Sequence, residues 1–432
     1  MKKILGLALL ASVFTTSAFA SVARLEALGE DQYGSQYLND NRNMFLNAAA
    51  VNDHFDFVTF EWGDTTKFQN TEEAGTFSNQ GSKAQGGVFR KSGDMVYGVY
   101  FGADSNTASQ LRASGLASLY ATGAFGANPN PTTPGLAEGV ISNLLSLVQN
   151  ENTLDLFVGG ESTFKWGAKL SYANSQNEQG YDGSQADADE VNKTGILVGL
   201  GAIAGKNEFY ANIGAGNELE IKNIQVAANP AATINGQDYH FKGQIGYQVG
   251  YVRALGNNAK AWLEYRQQDT EEEEIDALGE TMEVQIIQVG YGKVSKLNDV
   301  FTANYKLVYA SDRQENRGFR DVEDYEESKL RATLGMEAMV KEWLTIRASI
   351  SNNVFGTTTL ASNGLSVSKD ERTIADSTDV RLGATLAFGD FGIDGLIGNN
   401  ADGDGVVAED GDDNGTIRTD SLMSRVSMTY KF

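Results

Sequence analysis

Cysteine is absent from all 432 residues, so no disulfide staples this chain in any compartment. Proline is nearly absent. Pro129, Pro131, Pro134 and Pro230 are all there are, which leaves long stretches free to run as unbroken β-ladder. The only histidines are His54 and His240, and no spacing pairs a nucleophile with a base, so we expect no enzyme. Beyond residue 20 no run of 18 apolar residues occurs, so no transmembrane helix is expected. Positive charge is also scarce. Against 57 Asp and Glu stand 34 Lys and Arg, a net charge of −23, which argues against a nucleic-acid partner.

What is present begins with MKKILGLALLASVFTTSAFA. Lys2 and Lys3 are followed by an apolar stretch too short to cross a bilayer and by the small-residue pattern Ala18-Phe19-Ala20. Residues 1–20 read as a secretory signal peptide, cleaved after Ala20. The remaining chain carries 32 basic against 57 acidic residues, a net charge of −25.

From about residue 55 onward, period-2 alternation dominates. Tyr239 to Tyr251 places Tyr, Phe, Gly, Ile, Tyr, Val and Tyr on one side and His, Lys, Gln, Gly, Gln and Gly on the other. The same pattern recurs at 164–172, 301–309, 330–340, 344–350 and 380–388. These runs have the length that a tilted strand needs to cross a membrane, roughly 9–11 residues. Short connections near 91–94, 160–163, 205–207, 256–258, 295–299, 341–343 and 389–392 alternate with long polar ones around 64–80, 103–152, 173–193, 217–237, 268–281, 312–326, 354–376 and 399–419. Seven short and eight long connections imply sixteen strands, and all four prolines fall in proposed loops. The fold class expected is all-β: a membrane-spanning antiparallel up-and-down barrel over residues 54–432, with short periplasmic turns and long extracellular loops. Residues 21–53 are expected to form a periplasmic segment or a plug. At Ile286–Ile287 the alternation shifts, which points to a bulge or to a strand whose register the pattern misstates.

The chain ends SLMSRVSMTYKF. Val426, Met428, Tyr430 and the terminal Phe432 resemble the sorting signal of Gram-negative outer-membrane β-barrels. That resemblance implies an outer-membrane location, delivery by the barrel-assembly machinery, and contact with lipid and lipopolysaccharide. Together with the sixteen-strand pattern, the chain looks like a general diffusion porin. The porin resemblance implies a water-filled channel for small hydrophilic solutes and ions, and a homotrimer. A second resemblance points elsewhere. NMFLNAAAVND (43–53) loosely resembles the N-terminal hatch of the long-chain fatty-acid transporter family, which would imply a plugged lumen and an apolar ligand. A closed structural or surface barrel is the third reading.

On the polar side of the proposed strands lie Lys165, Lys169, Lys242, Arg266, Lys306, Lys329, Arg331, Arg347, Arg381 and Arg425, with Glu264, Glu337 and Asp379. A wall with more bases than acids favours anions, so these residues are the expected pore lining. No cofactor is expected. Asn400, Asp402 and Asp404, followed by Gly405, match the first half of a calcium loop, but Gly411 stands where a bidentate Glu belongs. The acidic loops, including EEEEID (271–276) and EDYEES (323–328), are candidates for Ca²⁺ or Mg²⁺ bridging to lipopolysaccharide phosphates. A helix with apolar spacing over 136–151 is expected either to narrow the barrel or to cap its rim.

Overall fold

A computed structural model of the chain describes residues 21–63, 84–103, 152–178, 186–226, 239–243, 245–272, 281–317, 323–362, 369–373, 378–399 and 425–432. The strands are β1 (Phe57–Gly63), β2 (Gln85–Ser92), β3 (Met95–Phe101), β4 (Asn152–Glu161), β5 (Lys165–Glu178), β6 (Ala186–Ala204), β7 (Asn207–Val226), β8 (Tyr239–Gly243) and β9 (Gly246–Gly256). They continue as β10 (Ala259–Glu272), β11 (Thr281–Lys296), β12 (Phe301–Arg317), β13 (Glu323–Lys341), β14 (Leu344–Ser362), β15 (Lys369–Thr373), β16 (Asp379–Phe388), β17 (Phe391–Asn399) and β18 (Arg425–Lys431). β8 and β9 both pair with β7 and β10, so they form one interrupted stave. β15 and β16 both pair with β14 in the same way. Eighteen segments thus make sixteen staves. Each pairs antiparallel with its neighbours, and β18 pairs with β1 to close the sheet. Closure removes the edge strands that a bilayer would not tolerate.

All seven short connections are tight turns at one rim. The ladders climb further than the sequence pattern suggested. β6, β7, β13 and β14 run 19 or 20 residues, and Glu323–Ser328, expected in a loop, opens β13. Above the bilayer both faces of a strand meet water, so the apolar alternation fades while the backbone hydrogen bonds continue. No register shift interrupts β11 on either side. The expected irregularity at Ile286–Ile287 is a compositional break only: Val284 and Ile286 are buried facing inward, and Ile287 is 44% exposed.

Outward rows are apolar and exposed. Tyr251, Leu263, Val289, Tyr309, Leu330 and Phe355 stand side by side across six strands. Near the turn rim Phe164, Phe209, Trp343, Phe388 and Phe432 face outward as well. An apolar belt on the outside of a closed barrel is the reverse of a water-soluble fold and is what a membrane requires.

The chain end completes the seam. Thr59 and Thr429 face each other across it, with their hydroxyls 3.1 Å apart inside the barrel. Val426, Met428 and Tyr430 turn outward, and Phe432 N–H donates to Asp56 O at 3.0 Å. Lys431 N–H donates to Asp390 O at 2.9 Å, which ties the last residues to both neighbouring strands at the same rim.

Residues 21–53 do not extend away from the barrel. They fold inside it, as α1 (Val22–Ala27), α2 (Asn43–Leu46) and a 3₁₀ turn over Ala48–Asp53. Every residue of α1 is buried.

Candidate functional site: the lumen and its plug

The N-terminal segment seats on the wall first through backbone-sized gaps. Gly159, Gly167 and Gly201 lie opposite one another on β4, β5 and β6 and leave a groove in the wall. The 3₁₀ turn lies in this groove. A Cβ on Gly167 would come within 2.7 Å of Ala49 N, one on Gly201 within 2.5 Å of the same atom, and one on Gly159 within 3.0 Å of Asn52 Nδ2. Elsewhere Gly383 makes room for Ala27, and Gly292 for the Tyr37 ring. Side chains at these positions would hold the plug away from the wall.

Apolar contacts come next. Met44, Phe45, Ala50 and Val51 pack with Phe57, Phe89, Val96, Tyr100 and Phe157 of the wall. The Phe45 ring meets Tyr100 and Phe157 edge-on at 5.0 and 5.2 Å. Leu25, Leu28, Tyr37, Leu38 and Leu46 pack with Tyr210, Val252 and Trp262, and Tyr37 stacks on Trp262. Burying an aliphatic or aromatic side chain of this size stabilises by about 1.5–3 kcal/mol. The inward aromatics of the wall therefore serve as the plug's half of a core.

Charges then fix the position. Arg24 of α1 binds Asp40 of the plug at 2.7 Å and Glu337 of β13 at 2.8 Å. Glu337 also takes Arg347 of β14 at 2.8 Å, and Arg347 reaches Asp394 of β17 at 3.1 Å. Lys306 holds Glu30 at 2.6 Å, Arg425 holds Glu26 at 3.1 Å, and Lys165 pairs with Asp53. Lys169 donates to Phe45 O at 2.7 Å, and Arg381 to Glu26 O at 3.5 Å. Burial works against the Arg24 charge, yet Glu337 and Asp40 raise its pKa above the ordinary arginine value. Burial also pushes the Asp40 carboxyl up, against the pull of Arg24.

The inward residues expected to line an open pore thus fall into two groups. Lys165, Lys169, Lys306, Glu337, Arg381 and Arg425 touch the plug, and Arg347 acts on it through Glu337. The others pair within the wall: Arg266 with Glu264 at 2.6 Å, Lys329 with Glu327 at 2.6 Å, and Arg331 with Asp379 at 3.1 Å. Lys242 is the exception and corrects the expectation: three residues of the β8–β9 stave oppose two of β10 between Gln267 and Thr270, which reverses the alternation and leaves Lys242 exposed on the outward side, opposite Glu218 and Glu271. None of the ten bases stands alone. Inward acids that the sequence reading passed over, among them Glu61, Asp155, Glu208, Asp312, Glu327 and Asp394, offset the expected excess of bases. The plug contacts were missed because they join residues as far apart as Arg24 and Glu337. The inward glycines were visible in the sequence, but their meaning depends on what lies against them.

A cavity of about 860 Å³ remains at the turn rim between plug and wall, lined by Arg24, Asn39, His54, Lys260, Asn304 and Glu337 among others. The helix expected over 136–151 and the residues Asn400, Asp402 and Asp404 lie outside the described residues. Among the described residues no group of three or more His, Asp or Glu side chains is placed to hold a metal ion.

No protein-family model matches the chain, and no curated protein does. Among solved structures the chain is similar to outer-membrane expressed OmpT of Vibrio cholerae, with 13% identity over 87% of this chain and 95% of that one and a TM-score of 0.32. It is also similar to a deltaS2 mutant of the monoaromatic hydrocarbon channel TodX, with 12% identity over 96% and 99% and a TM-score of 0.37. The Pseudomonas putida toluene transporter TodX gives 10% identity over 93% and 96%, with a TM-score of 0.34.

Proposed function

We propose that the chain is an outer-membrane channel for small hydrophilic solutes and ions, closed at its turn-side end by its own N-terminal segment. The observation that carries this reading is the seating of residues 21–53 inside a barrel whose wall beyond the plug bears paired charges of both signs. Such a wall is at ease with water and water-borne solutes, whereas an apolar ligand would need a mostly apolar lining. Passage is passive and involves no covalent chemistry, but it requires the plug to shift. The turn rim faces the periplasm in this reading, as in bacterial barrels generally, so the plug is reached from inside the cell envelope. Assembly by the barrel-assembly machinery, contact with lipopolysaccharide, and a trimeric state belong to the same reading.

Planar-bilayer recording tests it. The intact chain is expected to stay mostly closed. A folded chain lacking residues 21–53 is expected to show large stepwise conductance in salt. With its bases paired, the wall should give only weak preference between anions and cations in a salt gradient. A folded, plugless barrel that stays silent would count against a hydrophilic pore and favour the closed structural barrel.

A further inference from the structure

The described chain begins deep inside the lumen. Ser21 is fully buried. Its Oγ accepts the Arg24 N–H at 3.0 Å, and its side chain stands beside the Asp394 carboxylate. One residue later, Val22 N–H donates to Glu61 Oε2 at 3.1 Å. The other oxygen of that carboxylate, Oε1, is buried and has no hydrogen-bond partner among the described residues, and Glu61 is only 1% exposed. A buried carboxylate oxygen left without a donor is costly.

Of the acids around α1, Glu26, Asp40, Glu337 and Asp394 each hold an arginine in an ion pair, whereas Glu61 Oε1 offers a place for one more donor. The sequence expectation puts a cleavage site directly before Ser21. Hydrolysis of the Ala20–Ser21 bond consumes one water, leaves a carboxylate on Ala20, and frees the Ser21 nitrogen as an amine that takes up a proton. An α-ammonium, with an ordinary pKa of about 7.7–8.0, has three donors where the amide had one.

We propose that the processed N-terminus is a structural ion of the plug: the Ser21 α-ammonium pairs with Glu61 and Asp394 inside the barrel, so that full seating of the plug depends on removal of the signal sequence. The inference rests on the position of the plug and is independent of which solute passes.

The test uses the full mature barrel, made with a removable leader whose protease leaves serine as the first residue. A second chain carries one extra glycine before Ser21, which moves the ammonium by one residue. Hydrogen exchange of the Val22–Leu28 amides is followed by mass spectrometry in the folded barrels. The free Ser21 chain should be protected. The glycine-extended chain and Glu61→Gln should each exchange at least about tenfold faster, as expected for the loss of a buried charge-assisted hydrogen bond. Adding Glu61→Gln to the extended chain should then change little. Equal protection of the free and extended chains would overturn the proposal. So would a mature N-terminus other than Ser21, or a full further loosening in the double variant. None of these readouts measures conductance, so failure here is distinct from failure of the channel reading.

Discussion

Arg347→Met should destabilise the barrel by about 3–5 kcal/mol, the usual cost of removing one member of a buried ion pair. Arg347 is 2% exposed and holds Glu337 and Asp394 at once, with Thr385 as a further acceptor. Its loss leaves Asp394 without its salt-bridge partner and leaves Glu337 to Arg24 alone. Methionine fills most of the volume, so the effect reports charge rather than a cavity. Urea unfolding of the lipid-reconstituted protein measures it. The coupling can be isolated with Glu337→Gln: if Arg347 works through that carboxylate, the double variant should cost clearly less than the sum of the two singles. Additive losses would mean that the two residues act separately.

Gly201→Val should unseat the plug while leaving the barrel closed as a sheet. Its added side chain would occupy the space of Asn47 Oδ1 and of the Ala49 backbone, which cannot move aside as a flexible side chain could. Valine suits a strand, so the β5–β6 and β6–β7 ladders should tolerate it. The expected result is channel opening without loss of heat-resistant barrel structure, and proteolysis within residues 43–53 that the parent chain resists. A variant that stays both closed and protected would show that the turn does not lie in the glycine groove. Phe209→Ala, on the outer face, serves as a control that should leave the plug in place.

Much of the barrel is legible in the sequence, because lipid and water on opposite sides of one strand impose period 2 on the residues themselves. Tyr247, Val249 and Tyr251 against Gln248 and Gly250 need no tertiary knowledge to be read. The seven turns are legible for the same reason: Asn257 and Asn258 adopt positive φ between β9 and β10, as a tight hairpin of this kind requires. Loop lengths are less so. Glu323–Ser328 has no apolar face to reveal it as strand, since it stands above the membrane with water on both sides.

The lumen is harder to read. Lys306 and Arg425 are visibly inward, but nothing local shows that they meet Glu30 and Glu26 rather than solvent. Phe57, Phe89 and Phe157 face inward against the simple rule that polar residues line the lumen, and so they weaken the alternation of β1, β2 and β4. That local failure of the pattern marks where the plug's apolar face lands. Val284 and Ile286 on β11 also face inward and break the alternation, outside the apolar clusters that the plug joins.

The most direct test of the central claim, that residues 21–53 sit inside the barrel, uses the absence of cysteine. Ala27→Cys and Gly383→Cys together introduce the only two thiols in the protein. The Cβ of Ala27 lies 2.6 Å from where a Cβ on Gly383 would be. A shift of about 1 Å brings the pair to the roughly 3.8 Å typical of a disulfide. Under mild oxidation of the folded barrel, peptide mapping should recover the cross-linked pair in high yield, and bilayer recordings should show it locked shut until reduction. Two free, readily alkylated thiols in a folded barrel would contradict the placement of the plug.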